Sequence, residues 1–490
     1  MRPLRSATSA RSRWPAVLAI PVAVSLALLA PATASASVGL VRVSHDIYTD
    51  TQAQHDTEVE PGIYAAGSTI VSAFQVGRVY GGGASNIGWA TSRNGGATWS
   101  HGYLPGITAN GGGPFGQASD ASVAYDAKHK VWLITSIALS TTSVYVLASR
   151  STDGGRTWAK PVTVSKGSND KDWVVCDDHT ASPHYGTCYA EYDIPGNGDT
   201  LEMRTSTNGG ANWSTARAPA GGSHGLGGQP VVLPDGDVVV PYLAFASGVP
   251  SIRSFRSTNG GASWSATMPV ANVHHAAAAG SLRESALPSA AVDAAGTVYV
   301  AWADCRFRPG CPGNDIVIAK STSETTWAAP FRVPIGTTAS TADDFVPGLA
   351  VDPTTSGASA RVGLTYYYYP KASCSASACR LYAGFISSVN GGATWSAPAK
   401  LAGPMKLSWL PKTSQGRMFG DYISTAVLAG GNAYAVLSVA HARTGSKFHQ
   451  AMYVPAGGVP VTGGTHPALT RPGSAVPAQR PTVTAPPTAR

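Results

Sequence analysis

One nonapeptide is written five times along this chain: "TSRNGGATW" at 91–99, "RSTDGGRTW" at 150–158, "TSTNGGANW" at 205–213, "RSTNGGASW" at 256–264 and "SSVNGGATW" at 387–395. A decayed copy, "KSTSETTW", stands at 320–327. Recurrence of this kind constrains the fold more than composition does, because every copy must do the same job in a repeated unit. Asn-Gly-Gly or Asp-Gly-Gly supplies residues that accept positive φ, which a tight hairpin turn demands. The preceding Ser or Thr and the Asp or Asn can hydrogen-bond turn amides, and the closing Trp offers a large apolar face to pack between sheets. The repeat therefore reads as a folding device and not as a catalytic signature.

Upstream of each copy lie two apolar runs of strand length, for example "PGIYAA" and "TIVSAFQ", "ASVAYD" and "VWLITSIAL", or "PGLAVDP" and "VGLTYYYY". Each unit reads strand, strand, strand, motif, strand, with a period of roughly 50 to 65 residues, near the length of a four-stranded propeller blade. Helical periodicity is almost absent. The expectation is an all-β propeller spanning 37–455. After the sixth motif a further strand trio follows, "GDYISTAVL", "AYAVLSVA" and "HQAMYVPA", whose missing outer strand the isolated N-terminal run "LVRVSHDIY" can supply. That arrangement gives seven blades and leaves no unpaired edge at the seam. A six-bladed body with an extra hairpin is the alternative.

The pattern S-x-[DN]-G-G-x-[TSN]-W resembles the Asp box of the sialidase (BNR-repeat) superfamily over residues 40 to 455. The resemblance implies an Asp-box β-propeller whose boxes sit away from the catalytic mouth. It also implies sialidase chemistry: three arginines on a substrate carboxylate, a Tyr nucleophile paired with a Glu, and an Asp acid/base. Members of that family carry the first arginine in an R-I-P motif on the inner strand of the first blade. Here the stretch reads "EVEPGI", with Glu58 and Glu60 and no arginine.

The ends of the chain differ from its body. Arg2, Arg5, Arg11 and Arg13 precede the apolar run "WPAVLAIPVAVSLALLA" and the small-residue site "ATASA", the pattern of a secretory signal cleaved after Ala36. Beyond Ala456 the sequence is rich in Pro, Thr, Ala and Gly without core-building periodicity, the composition of a disordered tail at 456–490. Taking the four leader arginines and the tail's Arg471, Arg480 and Arg490 from the formal +8 leaves +1. So neutral a body argues against nucleic acid as the partner. No later segment is long and apolar enough to span a bilayer, so the expectation is a secreted, extracellular monomer with no membrane contact after cleavage.

The six cysteines fall as close pairs, Cys176 with Cys188, Cys305 with Cys311 and Cys374 with Cys379. Six thiols allow 15 connectivities, and export together with local spacing favours these three as disulfides. No C-x-x-C spacing supports zinc, and "DIPGNGDTLE" lacks the spacing of an EF-hand loop; neither a metal nor a cofactor is expected.

In a propeller the loops entering the inner strands open on one mouth. At that position stand Glu60, Asp120, Asp172, Gln229 and Asp421, with Leu287 and Val346 interrupting the series just after Glu284 and Asp344. Asp126, Asp235, Asp293 and Asp352 follow the same strands and read as turn formers. Matching blades one and five makes Arg78 and Arg306 equivalent, and Arg417 enters from the long loop "KLSWLPKTSQGRMFG". Glu60, Asp120 and Asp421 are the candidate catalytic carboxyls. Arg78, Arg306 and Arg417 are the candidate substrate-binding groups, suited to an acidic sugar because guanidinium pairs bidentately with carboxylate. Equally, such groups form ion pairs that merely hold loops. Two classes fit: a secreted sialidase-like glycoside hydrolase acting on an acidic or other terminal sugar, and a non-catalytic propeller binding glycan or protein on the same face, with Trp409 suited to either.

Overall fold

The computed structural model describes residues 38–245 and 248–471; the expected signal segment lies outside them. Strand pairing groups the chain into radial antiparallel sheets. The first runs Glu58–Ala66, Thr69–Arg78, Ala84–Ser92 and Ser100–Tyr103. The second, Gln117–Asp126 to Val162–Gly167, repeats that meander. Four more sheets follow, with innermost strands Asp170–Cys176, Val231–Val232, Ser289–Val292 and Asp343–Val351. The last sheet has Thr425–Val427 inside, then Asn432–Ala435 continuing as Leu437–Ala440, then Gln450–Pro455, and finally Leu40–Arg42 from the other end of the chain. Each innermost strand packs on the next, and Thr425–Val427 packs on Glu58–Ala66 to complete a β-propeller. We read the ring as seven blades.

The repeated turns are built alike. In the copy at 387–395, Gly392 N donates to Ser388 Oγ (2.9 Å), Thr394 N to Asn390 Oδ1 (2.9 Å) and Trp395 Nε1 to Gly392 O (3.0 Å). Gly391 and Gly392 sit at φ 65° and 86°, where a Cβ is strained. Four of the five Gly-Gly turns also latch onto the preceding blade. Thr91 Oγ1 donates to Gly155 O (2.8 Å), Arg150 Nε to Gly209 O (2.6 Å), Lys320 Nζ to Gly391 O (3.0 Å) and, across the seam, Tyr434 OH to Gly95 O (2.6 Å). The decayed copy has no glycine pair, and there Arg256 Nη1 reaches the Glu324 carboxylate instead (2.9 Å). An ion pair stands here where the other turns use a backbone carbonyl.

Cys176 and Cys188 are direct cross-strand partners in the third blade and are disulfide-bonded, as are Cys305 with Cys311 and Cys374 with Cys379. The folded body continues past 455. Val459–Pro460 pairs with Asn432–Ala435, His466–Pro467 with Thr394–Trp395, and Leu469 with Arg332. These pairings are two residues long, with Val459 and Val461 buried in the core, too short a run to show periodicity in a Pro-rich stretch, and the tail boundary read at 456 shifts towards Arg471. Among the described residues no helix is long and apolar enough to cross a membrane.

Glu58 ties the seam together. Its carboxylate accepts from Ser44 Oγ and from Met452 N (3.0 Å), and Ser438 Oγ donates to its carbonyl (2.8 Å). Burial pushes its carboxyl up from 4.5 to about 8. The folded state therefore holds a proton that the unfolded chain has released above 4.5, so stability falls as pH rises through that window. The expected result is that Glu58→Gln, which cannot ionise, loses less melting temperature than the parent between about pH 5.5 and about pH 8.5. Parallel melting curves with the same pH dependence would remove Glu58 as the cause.

Candidate functional site

At the mouth the inner strands do not start straight. Pairing slips between Val59 and Gly62, between Ser119 and Ser122, between Asp170 and Trp173, and between Phe345 and Gly348. The first extra residue of each bulge takes a left-handed backbone: Glu60 (φ 57°), Asp120 (φ 49°), Lys171 (φ 28°) and Val346 (φ 48°). Side-chain-bearing residues pay for this conformation in strain, and a bulge re-aims the side chain it carries. One backbone device thus turns equivalent residues of several blades to the mouth, and in the third blade that residue is Lys171, one position before the Asp172 expected there.

Around Glu60 the groups interlock. Its carboxylate accepts from Gln75 Nε2 and from Asp421 N (3.1 Å). Gly420, at φ 144°, lets that backbone approach, since a Cβ there would stand 3.1 Å from Glu60 N. Arg283 grips Asp421 through Nε (2.8 and 2.9 Å) and Nη2. The loop carrying Arg283 is set by backbone pairing with Arg417, each residue's strand donating once at 2.8 Å. Arg78 is buried and donates to Gly83 O and to Met418 Sδ (3.0 Å). Lys171 Nζ lies 3.6 Å from the centre of the Tyr422 ring, whose hydroxyl donates to Ala121 O (3.3 Å).

Burial, then the charges of Asp120 and Asp421, push the Glu60 carboxyl up to about 8. Burial and the neighbouring Arg283 pull Arg78 down to about 10. Asp170 is raised to about 6 by burial and by Asp120. Asp120 and Asp170 line one recess of about 50 Å³ with Ser119, Ser168, Asn169 and Pro195. A wider channel of about 390 Å³ runs inside the ring, walled by Tyr64, Trp173, Asp178, Gln229 and neighbouring inner-strand residues.

Of the residues singled out from the sequence, Glu60, Asp120, Asp421 and Arg78 come together. Arg306 is held by its own neighbour, with Nε to Asp304 Oδ1 at 2.9 Å and Nη2 to Asp304 Oδ2 at 2.7 Å. The Arg417 side chain donates to Leu410 O (3.1 Å). Glu284 pairs with His275 (2.9 Å), and Asp344 lies beside the buried Arg308 (3.6 Å). Tyr366, Tyr367 and Tyr369 are core residues, and Trp409 packs on the same core. Arg283, Asp170, Lys171 and Tyr422 were not anticipated as members; "SLRES" and "NDKDW" held the only sign, charged residues flanking positions already aligned to the mouth.

No family model and no curated protein matches the chain. Among solved structures it is similar to "Hadza microbial sialidase Hz136" at 13% identity and a TM-score of 0.44, covering 82% of this chain and 65% of that one, a little under two thirds of its length. A protein of unknown function from Dyadobacter fermentans DSM 18053 is similar at 18% identity and a TM-score of 0.45, covering 72% of this chain and 100% of that one. The α-L-arabinofuranosidase Arb93A from Fusarium graminearum, in complex with an iminosugar inhibitor, is similar at 13% identity and a TM-score of 0.43, covering 71% and 97%. The propeller assignment itself rests on this chain's own strand pairing.

Proposed function

We propose that this protein is an extracellular glycoside hydrolase acting at the propeller mouth, with Glu60 as proton donor and Asp120 as its carboxylate partner. The observation that carries the reading is the convergence of carboxyls in a strained, preorganised mouth, where burial and like charge keep Glu60 protonated at neutral pH. Glycoside hydrolysis by two carboxyl groups needs one of them to carry a proton while the other is ionised. Three disulfides fit an oxidising, extracellular setting.

The sugar is not an acidic one in this reading. Seven carboxyl side chains crowd the mouth: Glu60, Asp120, Asp170, Asp172, Glu191, Asp193 and Asp421. Among the described residues Arg78, Lys171 and Arg283 oppose them: Arg78 is held by Gly83 O and Arg283 by Asp421, while the Lys171 ammonium stands over the Tyr422 ring without a hydrogen-bond partner. Seven carboxyls against three cations leave a mouth that disfavours a further carboxylate on the substrate.

Release of sugar from a panel of aryl glycosides tests the proposal. The expected result is turnover of neutral or amino glycosides and none of sialosides or uronides. Binding without turnover of any glycoside would favour a glycan-binding propeller, a reading helped by the fact that both Glu60 oxygens already accept hydrogen bonds.

A further inference from the structure

Asp170 and Asp193 stand directly opposite each other on the paired strands Asp170–Cys176 and Cys188–Ile194. Cross-strand partners point their side chains to one face, and like charges placed so are destabilising. Both Asp193 carboxylate oxygens are buried without a hydrogen-bond partner, and Asp193 is fully enclosed. Burial, then Asp170 and Glu191, raise its carboxyl well above the ordinary range, and Asp120 adds to the effect. Within the trio of Asp120, Asp170 and Asp193, the Lys171 N–H donates to Asp170 Oδ1 (3.0 Å) and the Lys171 and Arg283 charges oppose that carboxyl, but both Asp193 oxygens stay without a hydrogen-bond partner. Asp193 therefore needs a proton or a cation, and the recess lined by Asp120 and Asp170 is bounded by its cross-strand partner.

A single metal ion is a poor fit. Among the described residues, the one group of three carboxylates whose ligand atoms lie within 4.8 Å of one another is Asp235, Asp237 and Glu324. That group lies in turns between the fourth and fifth blades, where Glu324 is already taken by Arg256. The mouth trio is spread more widely, and its recess of about 50 Å³ admits more than a bare ion. An alkylammonium head fits such a space and supplies donors to several carboxylates at once.

We infer that the mouth selects glycans carrying a free amino group, with the sugar ammonium seated between Asp120 and Asp170 and backed by Asp193. The inference rests on the reading of this mouth as a sugar site and deepens it to a substrate class, the non-acetylated amino sugars. Seating the cation displaces the proton that burial and the neighbouring carboxyls hold on Asp193, so binding releases protons.

Calorimetry of the whole protein at neutral pH tests this with four tetrasaccharide-scale probes: a glucosamine oligomer, its N-acetylated counterpart, a neutral cellulose oligomer and a sialylated lactose. The glucosamine oligomer is expected to bind at least about tenfold more tightly than the other three, the scale of one charge-assisted contact. Repeating the titration in buffers of different ionisation enthalpy is expected to show proton release. Asp170→Asn is expected to remove the preference while leaving weak binding of the neutral oligomer, and Asp193→Asn to reduce the proton release even if affinity changes little. Equal affinity for the acetylated or neutral oligomer, tightest binding of the sialylated probe, or no proton release overturns the inference. Turnover of neutral glycosides without amine preference would defeat it and leave the hydrolase reading standing; tight glucosamine-oligomer binding without turnover of any glycoside would do the reverse.

Discussion

Glu60→Gln is expected to lower turnover of any responsive glycoside by about a hundredfold to ten-thousandfold, the range contributed by a positioned general acid. Glutamine keeps the shape but offers one acceptor oxygen where the carboxyl offers two, so it keeps the bond from Asp421 N and needs the Gln75 amide to turn over; melting behaviour near neutral pH should fall only modestly below that of the parent. The parent's turnover should fall as pH rises through about 8, where the Glu60 carboxyl gives up its proton. Asp421→Asn removes one of the charges holding that proton and should move this alkaline limb to lower pH, at some cost because Arg283 loses its partner. Full activity in folded Glu60→Gln, or an alkaline limb that ignores residue 421, would take the proton donor elsewhere.

Trp395→Ala carries the largest stability effect expected of any repeat. The ring is fully buried in the largest core cluster, and its Nε1 donates to Gly392 O inside the turn. Truncating a buried indole costs about 3 to 5 kcal/mol. Denaturant unfolding should report that loss, while activity per folded molecule stays unchanged because the turn lies outside the mouth. Trp99 and Trp213 are only half-buried, and their alanine variants should lose less. A Trp395→Ala protein that folded normally yet lost activity would defeat the structural reading of the repeat.

The turns were legible because their chemistry is local: a Ser, an Asx, two glycines and a Trp within one nonapeptide determine every hydrogen bond of the hairpin. Local spacing likewise marked the cysteine pairs, and alternating apolar runs marked most inner strands. The fourth blade was harder, since its inner edge is broken into Gly225–Leu226 and Val231–Val232. The mouth was legible only in part. Aligning strand starts found Glu60 and Asp120, because the bulges occur at equivalent positions. It mistook Asp172 for Lys171, since a bulge shifts the register by one residue and sequence does not show where the slip falls. Arginine fates were hidden for a different reason. Whether Arg306 meets a ligand or Asp304, and whether Arg283 reaches Asp421, depends on loops far apart in sequence that meet only once the ring has formed.

The pairing of Leu40–Arg42 with Gln450–Pro455 sets an order of events for a chain made from its N-terminus. The strand that completes the last blade emerges first and must wait, unpaired, until nearly the whole polypeptide has followed. Local meanders can form meanwhile, since each blade is stitched by short connections, but joining the two ends comes late and carries the entropy of a very long loop. During that interval two complementary strand edges are open at once, and another molecule's N-terminal segment can occupy the place meant for its own. Yield on refolding should therefore fall with protein concentration, with strand-exchanged dimers as the characteristic by-product. A circular permutant that begins inside a turn between blades, with the old ends joined, would convert this late intermolecular hazard into an early local hairpin.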